Sequence, residues 1–252
     1  MVTLLPLCGV KLVEPGDDLG VIAVDAFAAN RLVPEKGDAL VVAQKIVSKA
    51  EGRYVDVSTV EPSEKAIAIA AEVEKDPRFV EVVLSESTRV VRHRPGLLIM
   101  EHRLGFVMAN AGIDHSNVAA TDGGERVLLL PKDPDGSARA LREHLTRALG
   151  VQIAVIISDS FGRAWRKGTV GVALGAAGLP ALIDMRGRPD LFGRALQVTD
   201  TGFADEIAAA AGLLMGQADE ALPMILVRGL SWSAPEAPAA TLIRPAEHDL
   251  FR

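Results

Sequence analysis

Cysteine is almost missing from this sequence: Cys8 is the only one in 252 residues. That excludes an intramolecular disulfide and any cysteine-rich zinc site. Aromatic residues are scarce at 4%, too few for the stacking platforms that hold single-stranded nucleic acid. Cations are outnumbered, 27 Lys and Arg against 33 Asp and Glu, and a net charge of −6 argues against a general nucleic-acid binder. Any anion site must be a local basic patch. Long apolar runs are lacking too. Residues 168–183 carry little charge but are rich in Gly and Ala, too weakly apolar to span a bilayer. Leu4-Leu5-Pro6-Leu7-Cys8-Gly9 has the outline of a lipoprotein cleavage box, yet no basic segment and no adequate apolar run precedes it. The expectation is a cytoplasmic protein without membrane or nucleic-acid partners. There is no Walker A loop, since Lys167-Gly168-Thr169 has its letters in the wrong order, and no Gly-x-Gly-x-x-Gly turn.

Hydrophobic residues at 49% and charged residues at 24% permit a packed core and argue against disorder. Apolar runs at 2–7, 39–43, 127–130, 151–158 and 224–227 read as strands. Residues 89–93, 97–103 and 106–110 read as further strands, the last two joined by Leu104-Gly105 in a hairpin. A strand is also expected over 195–199. Residues 168–178 form a strand whose glycines permit close backbone approach. Helices are expected from Asp17 or Asp18 to about 30, from Ser63 to 74, from Asp76-Pro77 to 86, up to Leu149, and over 204–215. Strands and helices alternate irregularly, with hairpins. The expected fold is α/β with α+β character: mixed sheets and flanking helices, neither a P-loop nor a Rossmann fold.

Two stretches carry the chemistry. Asp159 and Ser160 close an apolar strand, with Gly162 and the cations Arg163, Arg166 and Lys167 directly behind them. A carboxylate beside a hydroxyl suits Mg²⁺ or Mn²⁺, and a cationic loop suits phosphate. Asp114 follows a second apolar strand, and the two carboxylates are expected to converge. His115 adjoins this site but is read as a bystander, because hard metals prefer oxygen. Lys45 and Lys49 share one face if their segment is helical. That face is either solvated or aimed at phosphate; both readings are open.

The motifs extend along the chain: Ser48-Lys49-Ala50-Glu51-Gly52-Arg53, Asn110-Ala111-Gly112-Ile113-Asp114 with Ser116-Asn117-Val118, Asp133-Pro134-Asp135, Asp159-Ser160 with Gly162-Arg163 and Arg166, Ala204-Asp205-Glu206-Ile207-Ala208, and Val227-Arg228-Gly229. In this order they resemble the coenzyme F420-0:L-glutamate ligase family, the F420 γ-glutamyl ligases. The resemblance implies a single catalytic domain over 1–252, with room for two intertwined subdomains, acting as a homodimer. A flavin domain is fused at the C-terminus of some relatives, and none is expected here.

The activity implied is GTP-dependent. The amine of L-glutamate is joined to a carboxylate of the deazaflavin precursor, coenzyme F420-0, through an acyl phosphate, with GDP released. Two divalent ions, Mg²⁺ or Mn²⁺, and K⁺ are implied alongside. Asp114 and Asp159 would hold one divalent ion, Ser160 and Gln217 the second. Lys49 and Asn117 would contact GTP, with Gln44 and Lys45 nearby. The segment Val10, Lys11, Leu12 and Val13 would line the nucleotide site, as would the turn of Met215, Gly216, Gln217 and Ala218 with Asp219, Glu220, Ala221 and Leu222. Physical reading adds Arg163 and Arg166 as catalytic cations holding the anionic precursor or phosphate. Two alternatives stay open: a ligase of this family with another acceptor, and a nucleotide- or metabolite-binding protein that has lost catalysis.

Overall fold

A computed structural model describes residues 1–115 and 125–250. The chain opens with strand β1 (Thr3–Pro6) and helix α1 (Leu19–Ala29). Asp18 starts α1 by accepting the N–H groups of Gly20 and Val21, two donors that a helix start leaves free. Strand β2 (Ala39–Ala43) then runs without a loop into the short helix α2 (Gln44–Ala50), and β3 (Tyr54–Asp56) follows. Helices α3 (Glu64–Val73) and α4 (Pro77–Ser85) are capped by Ser63 and Asp76, with Pro77 in the first turn. A meander comes next: β4 (Ser87–Arg94), β5 (Leu97–His102) and β6 (Val107–Ala109), paired antiparallel. Strand β7 (Arg126–Leu128) pairs with β3. Helix α5 (Pro134–Leu149) ends at Gly150 in the left-handed conformation, as a C-terminal glycine stop requires. The remainder is β8 (Ala154–Arg163), β9 (Arg166–Ala177), β10 (Ile183–Asp184), β11 (Asp200–Thr201), α6 (Phe203–Met215) and β12 (Met224–Arg228).

The central sheet has the order β1-β12-β2-β8-β9; β2 and β8 are parallel and every other pair is antiparallel. Both faces are covered, which is why β2, β8 and β12 read as continuous apolar runs rather than alternating ones. On one face Leu40, Val42, Val155 and Ile157 pack with Phe27, Leu141 and Leu145 of α1 and α5. On the other, Val41, Ile156 and Ile225 meet the small residues Ala204, Ala208 and Ala211 of α6. A separate core of Val57, Val80, Leu98, Met100 and Val127 binds α3 and α4 to the meander and to β3–β7. The class is α+β with mixed sheets. Among the described residues no helix is long and apolar enough to cross a membrane.

Two expectations are corrected. The strand read at 151–158 continues to Arg163, so Asp159 and Ser160 sit within β8 rather than at its end. The residues beyond them belong to a long β8–β9 hairpin, not to a loop. The strand expected over 195–199 does not form; Ala195 makes one isolated bridge to Pro189, and the short pair β10–β11 stands in its place. Leu191, Phe192 and Val198 there are 99%, 84% and 86% exposed, so nothing in this chain rewards a paired apolar strand.

Strand β9 is an edge, and two aspartates close it from opposite sides. Asp205 of α6 accepts from Ala173 N at 2.8 Å, and Asp135 of α5 accepts from Ala176 N at 2.8 Å. Asp135 also holds the C-terminal tail, accepting from Ala239 N at 2.8 Å and Ala240 N at 3.2 Å. Asp135→Ala leaves these N–H groups without their acceptor. It is expected to cost about 2–3 kcal/mol, read as a lower denaturant midpoint, and to free the tail for limited proteolysis.

A second network ties the helix after β2 to the meander. Arg53 donates to Leu130 O at 2.9 Å and, through Nη2, to Glu86 at 2.7 Å; Arg103 Nε reaches the same carboxylate at 3.2 Å and His102 Nε2 lies 3.5 Å away. Burial alone would raise the Glu86 carboxyl. The His102 ring and the charges of Arg53 and Arg103 outweigh it, and the value falls from 4.5 to about 2. A depressed carboxyl stabilises the fold above its unfolded value and loses that contribution as pH falls through the folded one. Roughly 3 kcal/mol should therefore disappear between about pH 4.5 and pH 2. Glu86→Gln should flatten this part of the stability–pH curve, measured by denaturation at a series of pH values.

Candidate functional site

The direct passage from β2 into α2 places Gln44 and Lys45 at the carboxyl end of the sheet. Ser48, one turn along, donates to Gln44 Oε1 at 2.9 Å and so fixes which way the amide points. The Nε2 of Gln44 then donates to Asp114 Oδ2 at 2.9 Å, and Lys45 Nζ lies 3.5 Å from the same oxygen. Helical spacing puts Lys49 on the same side as Lys45, as expected. Burial and the neighbouring Lys45 hold the Lys49 ammonium below the usual lysine range, against the pull of Asp114.

Asp114 is delivered by an unusual turn. Asn110, Ala111 and Gly112 are all left-handed, with φ of 49°, 53° and 71°. Two of these are not glycine, and each such residue costs about 1–2 kcal/mol. Asp114 is then locked by reciprocal backbone bonds to Leu128, both 2.9 Å. Burial raises its carboxyl, while Lys45 and Gln44 lower it; the net shift is upward.

Asp159 comes from β8. The N–H of Ser160 donates to its Oδ1 at 2.7 Å. Burial pushes its carboxyl up to about 7, and the nearby charge of Asp114 pushes the same way. Asp114 is thus close enough for its charge to be felt at Asp159. Ser160 Oγ donates to Gln217 Oε1 at 2.6 Å, bringing those two oxygen groups together as well. His115 turns elsewhere: its ring lies 4.6 Å from that of Phe79, and Nδ1 is 3.3 Å from Glu125.

A cleft of about 350 Å³ opens here, and Asp114 touches its wall only through Gln44 and Lys45. Its walls include Val10 to Val13, Gln44, Lys45, Lys49, Asp159, Ser160 and the loop after α6. Met215 to Asp219, Ala221 and Leu222 all face it; Glu220 does not. The Glu220 carboxylate instead accepts from Ala218 N at 2.8 Å and braces the loop from behind. Arg163 and Arg166 lie away from the cleft wall, paired across the far end of the β8–β9 hairpin. Asn117 falls outside the described residues. Ser48 was not foreseen as a part of the site. Its signal was available: it stands four residues after Gln44, the spacing at which helical side chains meet.

Among the described residues no three of His, Cys, Asp and Glu gather into a metal cluster. Mg²⁺ does not need one, since it binds through one or two carboxylates together with phosphate oxygens and water. Burial drives both carboxylates toward protonation, and the charge of Asp114 adds to the shift at Asp159; a cation relieves such a site. The donor set fits a hard divalent ion.

Comparison with known proteins puts this chain in a family of ligases. The chain belongs to the F420-0:gamma-glutamyl ligase family, whose sequence profile matches residues 9–229. It is 44% identical over 253 residues to the coenzyme F420:L-glutamate ligase of Methanothermobacter thermautotrophicus, covering 100% of this chain and 99% of that one. The protein of the same name from Methanopyrus kandleri is 46% identical over 247 residues, covering 96% and 94%. That from Archaeoglobus fulgidus is 43% identical over 251 residues, covering 100% and 96%.

Proposed function

We propose that this chain is a GTP-dependent ligase that adds L-glutamate to coenzyme F420-0 through an acyl phosphate. The observation that carries the reading is a cleft edged by Lys45, Lys49 and Asp159, with Asp114 held against Gln44 and Lys45 of the same wall. A carboxylate is a poor electrophile. In the proposed reaction an acceptor carboxylate oxygen attacks the γ-phosphorus and GDP departs. The glutamate amine then attacks the acyl carbon, phosphate leaves, and the nitrogen gives up its proton. Divalent ions, when bound, neutralise charge on the phosphates.

Asp114 and Asp159 would hold one such ion, Ser160 and Gln217 the other. Gln44, oriented by Ser48, steadies Asp114. Lys45 and Lys49 offer positive charge to the triphosphate, and the segments at 10–13 and 215–222 enclose it, with Asn117 as a further contact. Arg163 and Arg166, with Lys167, meet the acceptor's negative charge. K⁺ enters on the family resemblance alone.

We take 1–252 as one catalytic domain in a cytoplasmic homodimer. The exposed Leu191, Phe192 and Val198 support a second copy as the cover for that arm. The test is incubation with GTP, Mn²⁺, L-glutamate and F420-0. GDP release that needs both acceptor and glutamate, with a product one glutamyl unit heavier, is the expected result. Nucleotide binding without turnover, or turnover only with another carboxylate, overturns it.

A further inference from the structure

We infer that Trp165 is the surface on which the deazaflavin ring of the acceptor stacks, flanked by Arg163, Arg166 and Lys167. This rests on the ligase reading and adds to it the place of the substrate's aromatic end. Trp165 costs stability in two ways. Its side chain is 86% exposed, so most of the largest apolar surface a residue can offer stays in water. Its backbone is left-handed, φ 64°, where glycine is at ease and a bulky residue is strained. Two penalties at one residue point to a role other than holding the fold.

The surroundings suit a planar anionic ligand. Gly162 pairs with Thr169 while Arg163 pairs with Arg166, so Lys167 and Gly168 are looped out of the ladder. Gly168, at φ 86°, permits that bulge. Bulges re-aim side chains beside active sites, and here three cations flank Trp165 along the chain. Among the described residues no ion pair engages Arg163, Arg166 or Lys167 with an acid, whereas Arg186, just after β10, is held by Asp184 at 2.6 Å. The reach also agrees. Arg163 is four residues beyond Asp159 on one strand, or about 13 Å at the usual rise. A substrate whose carboxylate reacts near Asp159 can lay its ring along the hairpin toward Trp165.

The test uses Trp165→Gly, which removes the ring and relieves the backbone at once. The variant is expected to melt no lower than the parent and to keep its KM for GTP and glutamate. Its KM for F420-0 should rise about tenfold or more, the usual consequence of losing one stacked aromatic. Trp165→Phe should recover most of that loss. In a Trp232→Phe background, F420-0 should quench the remaining indole emission. An unchanged KM for F420-0 in Trp165→Gly overturns the stacking while leaving the ligase intact. So does a lower melting point, which would make Trp165 a packing anchor, or a change in size-exclusion mass, which would make it a contact between copies. Wild-type protein that neither turns over nor binds F420-0 defeats the ligase reading itself.

Discussion

Asp159→Asn is expected to stop turnover while the fold survives. The amide has nearly the shape of the carboxylate, so β8 keeps its register between β2 and β9. What disappears is a carboxylate on the cleft wall, close enough to Asp114 to feel its charge. Loss of a charged group aimed at transferring phosphate should lower kcat by on the order of a thousandfold. A purely structural aspartate would behave differently, and stability separates the two cases. Burial and Asp114 both act against the ionised Asp159 carboxylate. Removing it should leave the midpoint in chelator no lower than that of the parent. Mn²⁺ at a hundredfold excess over its Kd should stabilise the parent by about 2.7 kcal/mol and the variant by much less. Thermal denaturation with and without Mn²⁺, beside GDP release, makes the measurement. Wild-type rates in the variant, or a metal response equal to the parent's, would remove Asp159 from the site.

Much of this site is legible in the sequence because its parts announce themselves locally. Asp18, Ser63 and Asp76 cap helices where a short polar side chain precedes an apolar period. Lys45 and Lys49 share a face once α2 is helical, and Gly171 and Gly175 of β9 do mark close backbone contacts. The family motifs draw together segments distant in the chain that line one cleft: 10–13, 44–46 with Lys49, 159–160, and 215–219 with Ala221 and Leu222. Other features resisted because nothing local encodes them. In the sequence Asp159 looks like a strand end, since Gly162 and three cations resemble a loop; only pairing with β9 shows the strand continuing through them. The segment 195–199 has strand-like residues but no partner surface within the chain. Glu220 shares a loop with Gln217 yet turns to brace Ala218, a choice between neighbours that spacing cannot make.

The same chemical change at two facing glycines should have opposite signs. Gly171 lies on β9 against α6. A Cβ there would overlap the carbonyl oxygen of Ala208 and stand 2.8 Å from its carbon and 3.1 Å from Ala209 Cα. These are backbone atoms, and no rotamer change relieves them. Gly171→Ala must lift α6 off the sheet, undoing the fit of Ala204, Ala208 and Ala211 against Ile156 and Val41. Overpacking of this kind costs about 1–3 kcal/mol and sometimes more, and the upper end is expected because the obstacle is a helix. The damage should reach the cleft, since α6 delivers Gln217 to Ser160. Nucleotide affinity should fall together with the denaturation midpoint. Gly212 faces the same gap from α6, but its added Cβ would meet only Gly171 N, at 4.0 Å. Gly212→Ala therefore gains helix propensity, up to about 1 kcal/mol, with no clash to offset it. Denaturant midpoints that move in opposite directions for the two variants would tie the small residues of β9 and α6 to the closeness of their packing. A Gly171→Ala protein as stable as its parent would show that α6 sits farther from the sheet than these contacts require.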